Sequence, residues 1–230
     1  MKTYRWLPFV TALFVTTLVI SNIIAVKLVN LGGLFVPAAV ILFPVAYIFG
    51  DVLTEVYGFA RARQVIWTGF FCNLVAVLAI WLAGLLPAAQ IWTAGAFGTP
   101  AAAQQAYDAI LGFAPRLLLA SFIAYLIGEF LNSFVLAKLK VRTAGKHLWL
   151  RTILSTVVGE GADSLIFIII AFTGSFPPDA IMQAIVSQWF IKVAYETLAT
   201  PLTYLVVNAL KRAEGEDVYD KATNFNPFQM

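Results

Sequence analysis

The sequence predicts an all-α integral membrane protein of six transmembrane helices, with both termini on the cytoplasmic side. Three observations predict it. Of 230 residues, 61% are hydrophobic and only 12% charged, and the mean hydropathy is +0.86, which no soluble domain matches. Six apolar stretches each approach the roughly 20 residues that a bilayer crossing needs. Lys and Arg also sort by side. With the N-terminus inside, Lys2, Arg5, Arg61, Arg63, Arg151, Lys221 and the groups 138–146 and 211–212 all face the cytoplasm, and the outer loops hold none.

Lys2 and Arg5 precede an apolar run from Trp6 that continues through Ser21-Asn22 to Val26, with no small-residue cleavage site. The run therefore reads as a first span rather than a signal peptide. The second span is expected at about Leu34–Tyr57 and the third at Val65–Leu86. A long Ala/Gly-rich connection, Pro87–Pro115, holds Ala101–Leu111, which reads as a short helix. The fourth span is expected at Arg116–Ala137, the fifth at Leu150–Thr173 and the sixth at Ala180–Leu210. Residues 1–210 are expected to form one transmembrane domain, and 211–230 a polar cytoplasmic tail that reads as poorly ordered toward its end.

The fifth span carries the sharpest signal, Gly159-Glu160-Gly161-Ala162-Asp163-Ser164. From Thr152 to Pro178 no other charge occurs, so two carboxylates fall near the middle of the hydrocarbon, where each costs about 2.5–3.5 kcal/mol. Three residues apart, they share one helix face. The flanking glycines bare the backbone to a neighbouring helix or a ligand. Either a polar pocket or a helix–helix hydrogen-bond knot accounts for them. The same device, an acid behind a glycine with a polar group one turn later, recurs at Gly50-Asp51-Val52-Leu53-Thr54 and Gly128-Glu129-Phe130-Leu131-Asn132.

Other intramembrane polar groups have two readings each. Glu129 with Asn132 lines a pocket or ties helices together. Lys192 and Glu196, four residues apart, neutralise each other or turn to a ligand. Arg116 is an interface anchor or an entry gate. Asp51 and Glu55 share a face near the cytoplasmic end of the second span, within reach of Arg61 and Arg63 as a latch, or serve gating and ion coupling together with Glu196. The balance matters more than any one group. Six acids (Asp51, Glu55, Glu129, Glu160, Asp163, Glu196) meet three bases (Lys27, Arg116, Lys192) in or near the spans. They cannot all be ionised and paired in a dry interior; entry of water, protonation or a hydrogen-bonding ligand each describes a solute pathway.

Several classes are excluded or disfavoured. The single histidine, His147, sits in a basic loop, and Cys72 is the lone cysteine, so neither a metal centre, a histidine-based intramembrane protease nor a disulfide framework is expected. Gly159–Asp163 approaches the Gly-x-Gly-Asp of intramembrane aspartyl proteases, but the aspartate comes one residue late and no Tyr-Asp lies in another span. No phosphate-binding Gly-rich loop is present, and no cofactor is called for. The net charge of +3 is a topology signal with anionic lipid as its contact, so the expected partners are the bilayer and a small molecule, without nucleic acid.

The stretch Phe43–Gly58 followed by Ala60-Arg61-Ala62-Arg63 resembles the signature of the queuosine precursor transporter family, also called the vitamin uptake transporter family. Arg116 with Ala120–Tyr125, Ser155 with Gly159–Ser164, and Lys192 with Pro201 fit it in order along nearly the whole chain. The resemblance implies import of 7-cyano- or 7-aminomethyl-7-deazaguanine across the bacterial cytoplasmic membrane for tRNA modification. It also implies a fold similar to the substrate-binding subunits of energy-coupling-factor vitamin importers. The alternative is a substrate-capture subunit for another vitamin-like solute, working with a separate ATP-driven module. The sequence leaves a homodimer open. A guanine-like edge offers adjacent N–H donors to a carboxylate, which suits Asp163 or Glu160. Its carbonyl needs a donor such as Asn132, Gln188 or Lys192, and its ring stacks on an aromatic, Tyr125 or Trp189.

Overall fold

A computed structural model describes residues 3–31, 34–112 and 115–229. Helix α1 is Leu7–Ile24. A short antiparallel hairpin follows, β1 Leu28–Leu31 and β2 Leu34–Pro37, in the register Val29 to Val36 and Asn30 to Phe35. A single 3-10 turn, Ala38–Ile41, leads into α2, Phe43–Tyr57. Then come α3 Phe59–Leu85, α4 Pro100–Leu111, α5 Pro115–Arg142, α6 Leu148–Phe172 and α7 Pro178–Glu214.

Leu7–Ile24, Phe59–Leu85 and Leu148–Phe172 are each long and apolar enough to cross a membrane, as is the stretch Pro100–Arg142 that contains α5. Large apolar side chains such as Phe71, Val75, Trp81, Leu198, Leu202 and Leu205 stand exposed on α3 and α7. Such surface is untenable in water and natural against lipid. Helix α2 is only 15 residues long, and α7, at 37 residues, carries Lys192 and Glu196 in its interior.

Two expectations need correction. The second span does not begin as a helix at Leu34: residues 34–37 pair with 28–31, and helix starts only at Phe43. Gly32-Gly33 between two short apolar runs is the sequence signal of such a hairpin. The tail is also not loose. Its backbone wraps onto the start of α3, where the Phe59 amide donates to Asp220 (3.0 Å), Arg63 donates to the carbonyls of Asn224 (3.0 Å) and Asn226 (2.8 Å), and the Trp67 indole donates to Pro227 O (2.8 Å). Gly58 (φ 80°) makes the bend between α2 and α3. A Cβ there would meet Val218 at 2.7 Å, so the bend and the tail seat require glycine together.

The same end of the bundle is closed by charge. Glu55 is fully buried, and its Oε1 takes Arg151 at 2.8 Å and Lys211 at 2.7 Å, while Lys140 lies 3.6 Å away and donates to Glu55 O at 2.5 Å. Asp217 from the tail joins Lys140 (2.5 Å) and Lys211 (2.8 Å). One network thus joins α2, α5, α6, α7 and the tail. Arg61 and Arg63 are not its bases, contrary to the expected latch. Arg61 bonds Gln64 and Arg63 holds the tail, whereas Lys140, Arg151 and Lys211, which read as loop charges, point inward.

Helices α5 and α6 make the closest helix pair. A Cβ on Gly128 would stand 2.8 Å from the Asp163 Cβ, and one on Gly159 would stand 2.6 Å from the Asn132 Cβ and 2.8 Å from Gly128 O. Gly128 and Gly159 therefore share one purpose: each lets a polar-bearing segment of the next helix come close. Gly50 differs, since an added Cβ would meet Glu129 Oε2 at 3.6 Å, an ordinary contact.

Gly159→Ala, which must push backbone aside, is expected to lose about 1–3 kcal/mol. Gly50→Ala meets only ordinary contact and stays near neutral; thermal unfolding in detergent checks both. Burial tends to raise the Asp217 carboxyl, but hydrogen bonds from Lys140 and Lys211 outweigh it and hold it below the usual range. A depressed carboxyl stabilises above its unfolded pKa and stops doing so as pH falls through the folded value. Limited proteolysis of the tail is therefore expected to be flat through neutral pH and to rise only below about pH 4.

Candidate functional site

At the opposite end of the bundle, the C-terminal halves of α1 and α6 meet the N-terminal halves of α5 and α7. They enclose a cavity of about 280 Å³ lined by Tyr125, Glu129, Glu160, Asp163, Gln188 and Lys192, with Ser21, Asn22, Ser121, Phe14 and Phe167 completing its wall. Its centre is the Lys192 ammonium. It contacts Glu160 Oε2 at 2.7 Å and makes a second ion pair and hydrogen bond with Asp163 Oδ2. Lys192 is thus not the partner of Glu196, its neighbour one turn along α7; it reaches across to α6.

The local sequence explains this arrangement. Spacing i, i+3 puts both carboxylates on the α6 face turned to α7. The α5–α6 contact at Gly128 and Gly159 fixes how deep they sit, and Glu129 enters from α5. Three acids around one base make the cavity rich in acceptors. Each α6 carboxylate spends one oxygen on Lys192, leaving Asp163 Oδ1 and Glu160 Oε1 for a ligand with N–H donors. Gln188 supplies both a donor and an acceptor.

Tyr125 lines the cavity while its hydroxyl donates to Ile66 O at 3.1 Å, and its oxygen lies so near Gly69 that a Cβ there would meet it at 2.7 Å. Three candidates are placed elsewhere. Asn132 sits behind the wall and donates to Asp51 Oδ1 at 3.2 Å. Trp189 packs on Gly161, donates to Val157 O at 2.9 Å and stands partly exposed outside the cavity. Arg116 donates to Ile170 O and Thr173 O, both at 2.5 Å, and so satisfies the last carbonyls of α6 as an anchor. Asp51 and Glu196 are buried beneath the cavity, and Glu55 belongs to the charge network at the far end.

Sequence reasoning passed over Ser21 and Asn22, the polar pair interrupting the first apolar run. Asn22 donates to Asn73 of α3 at 3.0 Å, and the Ser21 hydroxyl is buried with no partner among the described residues. That interruption was the available signal. Among the described residues no cluster of His, Cys, Asp and Glu has a metal-holding arrangement.

Residues 37–206 match the family described as "Putative vitamin uptake transporter". The chain belongs to that family. It is 30% identical over 208 residues to the "Probable queuosine precursor transporter" of Bacillus subtilis (strain 168), spanning 89% of this chain and 82% of that one. It is 28% identical over 184 residues to the "Queuosine precursor transporter" of Escherichia coli (strain K12), spanning 79% and 73%. No solved structure matches the chain. The resemblance read from Phe43–Gly58, Gly159–Ser164 and Lys192 with Pro201 is borne out at the level of the family, and the protein is a multi-pass membrane transporter.

Lys192→Met is expected to strand Glu160 and Asp163 without a cation and to cost about 3–5 kcal/mol at neutral pH. Adding E160Q and D163N to Lys192→Met should recover most of it, read as thermal unfolding of the single and triple variants.

Proposed function

We propose that this transporter imports queuosine precursors, binding the 7-deazaguanine base in the Lys192–Glu160–Asp163 cavity. The observation that carries the proposal is one ammonium held between two carboxylates that each keep an oxygen free, at the wall of a cavity that also holds Gln188 and aromatic rings. A deazaguanine edge presents adjacent N–H donors, which the remaining oxygens of Asp163 and Glu160 can accept as charge-assisted hydrogen bonds. Its carbonyl takes a donor from Lys192 or Gln188, and Tyr125, Phe14 or Phe167 offers an apolar face. The cavity lies just below the roughly 300 Å³ at which pockets for drug-sized ligands begin, room enough for one flat bicyclic base. Both relatives are named as queuosine precursor transporters.

The topology we infer has six spans, α1, α2 with the 3-10 turn before it, α3, α5, α6 and α7, with both termini in the cytoplasm, as in the substrate-binding subunits of energy-coupling-factor importers. The cavity then opens toward the outside, and the Glu55 network with the tail seals the cytoplasmic end. This is the state that collects solute.

Binding of 7-cyano-7-deazaguanine to detergent-purified protein, against guanine and biotin, tests the reading. We expect selective binding, with Asp163→Asn and Glu160→Gln each weakening it by about tenfold or more, the scale of one charge-assisted hydrogen bond. A folded protein that ignores the base overturns the substrate assignment. Unchanged affinity in both variants overturns the site.

A further inference from the structure

We propose that Asp51 and Glu196 form a proton-binding site, a single proton held between two carboxyls, whose loading and release couple proton entry to solute import. The inference rests on the transport reading above but concerns different residues. Asp51 of α2 is 1% exposed and Glu196 of α7 is 0% exposed. Helices α2 and α7 pack side by side, and the two carboxyl groups interact across that contact. Yet Asp51 Oδ2 and both oxygens of Glu196 find no donor among the described residues. Two acceptors in contact repel; the contact becomes a hydrogen bond only when a proton sits between them.

No cation competes for that role. On α2, Glu55 lies one turn from Asp51, but its charge is taken by Arg151 and Lys211. From α5 come Glu129 and the Asn132 amide, which holds Asp51 Oδ1. From α6 comes Glu160. Lys192, one turn from Glu196 on α7, is committed to Glu160 and Asp163. No charged group of α1 or α3 faces the pair among the described residues. Among the described residues no cation is left over for this buried pair of acids, which is stable when it carries one proton and strained when it carries none.

Its position suits coupling. Glu196 follows Lys192 by one turn of α7, and Asn132 follows Glu129 by one turn of α5, so two of the helices that line the cavity also carry groups of this pair's surroundings. One turn further, Pro201 removes a backbone hydrogen bond from inside α7, giving the helix a place to bend beside the pair. The proton comes from outer water through the open cavity, rides on the pair, and leaves to the cytoplasm; no covalent bond other than O–H changes.

The test uses purified wild-type protein in liposomes with a trapped pH dye and external 7-cyano-7-deazaguanine. Expected are acidification of the lumen that depends on the base, and accumulation driven by an outside-acid gradient, about tenfold per pH unit if one proton accompanies each base. In Glu196→Gln and Asp51→Asn the stimulation by the gradient and the proton signal should vanish. Wild-type uptake that is equal with and without a gradient, or variants that keep the stimulation, would overturn the proposal. If wild-type protein takes up none of this base, the substrate reading has failed instead, and infrared difference spectra of the protein alone decide the site. A protonated-carboxyl band that titrates in wild type and disappears in both variants supports it; no such band overturns it.

Discussion

Everything polar inside this bundle depends on how closely α5 and α6 approach. Gly128 and Gly159 leave no room for a methyl group between the two backbones, and in lipid, packing of this kind rather than hydrophobic exclusion holds helices together. The approach sets Asp163 against α5, brings Asn132 to Gly159, and leaves Glu129 and Glu160 at one level. Lys192 can then reach both α6 carboxylates from α7. A bulkier residue at either glycine would push α5 and its Glu129 away from Lys192 and the two α6 carboxylates, which stay together on one helix.

The second organising fact is the division of charge along the bundle. One end gathers three bases and two acids around Glu55 into a network in which almost every partner is satisfied. The cost of burying those charges is offset by five mutually supporting contacts and by the tail that excludes water from them. The other end gathers three acids around one base and remains open. In the orientation proposed above, the neutralised end lies in the cytoplasm and the acceptor-rich cavity faces outward, and the Glu55 network is what solute release must take apart.

Much of this was legible in the sequence, and the gaps have physical causes. The long apolar helices followed from hydropathy, and α4 followed from the Ala-rich run Ala101–Leu111, although its start at Pro100 behind the Thr99 cap did not. The glycine–acid device at Gly50, Gly128 and Gly159 was visible, because an acid in hydrocarbon must be explained. Pairing was not. Lys192 and Glu196 satisfy the rule for neighbours on one helix, yet Lys192 reaches across to Glu160 and Asp163 of α6 and leaves Glu196 without a donor among the described residues, since tertiary contacts outweigh a local pair worth a few tenths of a kcal/mol. Arg151 and Lys140 looked like topology signals because charge asymmetry says which side a residue lies on and nothing of where its head group turns. The tail looked disordered because its short polar sequence has no periodicity, but its backbone carbonyls serve as acceptors for Arg63 and Trp67, a use that composition does not reveal.

The most direct measurement places a single cysteine at Gln188 in a Cys72→Ser background and labels it in intact cells with a membrane-impermeant maleimide. The proposed topology and ligand predict labelling from the outside, slowed by 7-cyano-7-deazaguanine and untouched by biotin. Labelling that requires access from the cytoplasm, or outside labelling that the base does not slow, would contradict an outward-facing cavity built for that ligand.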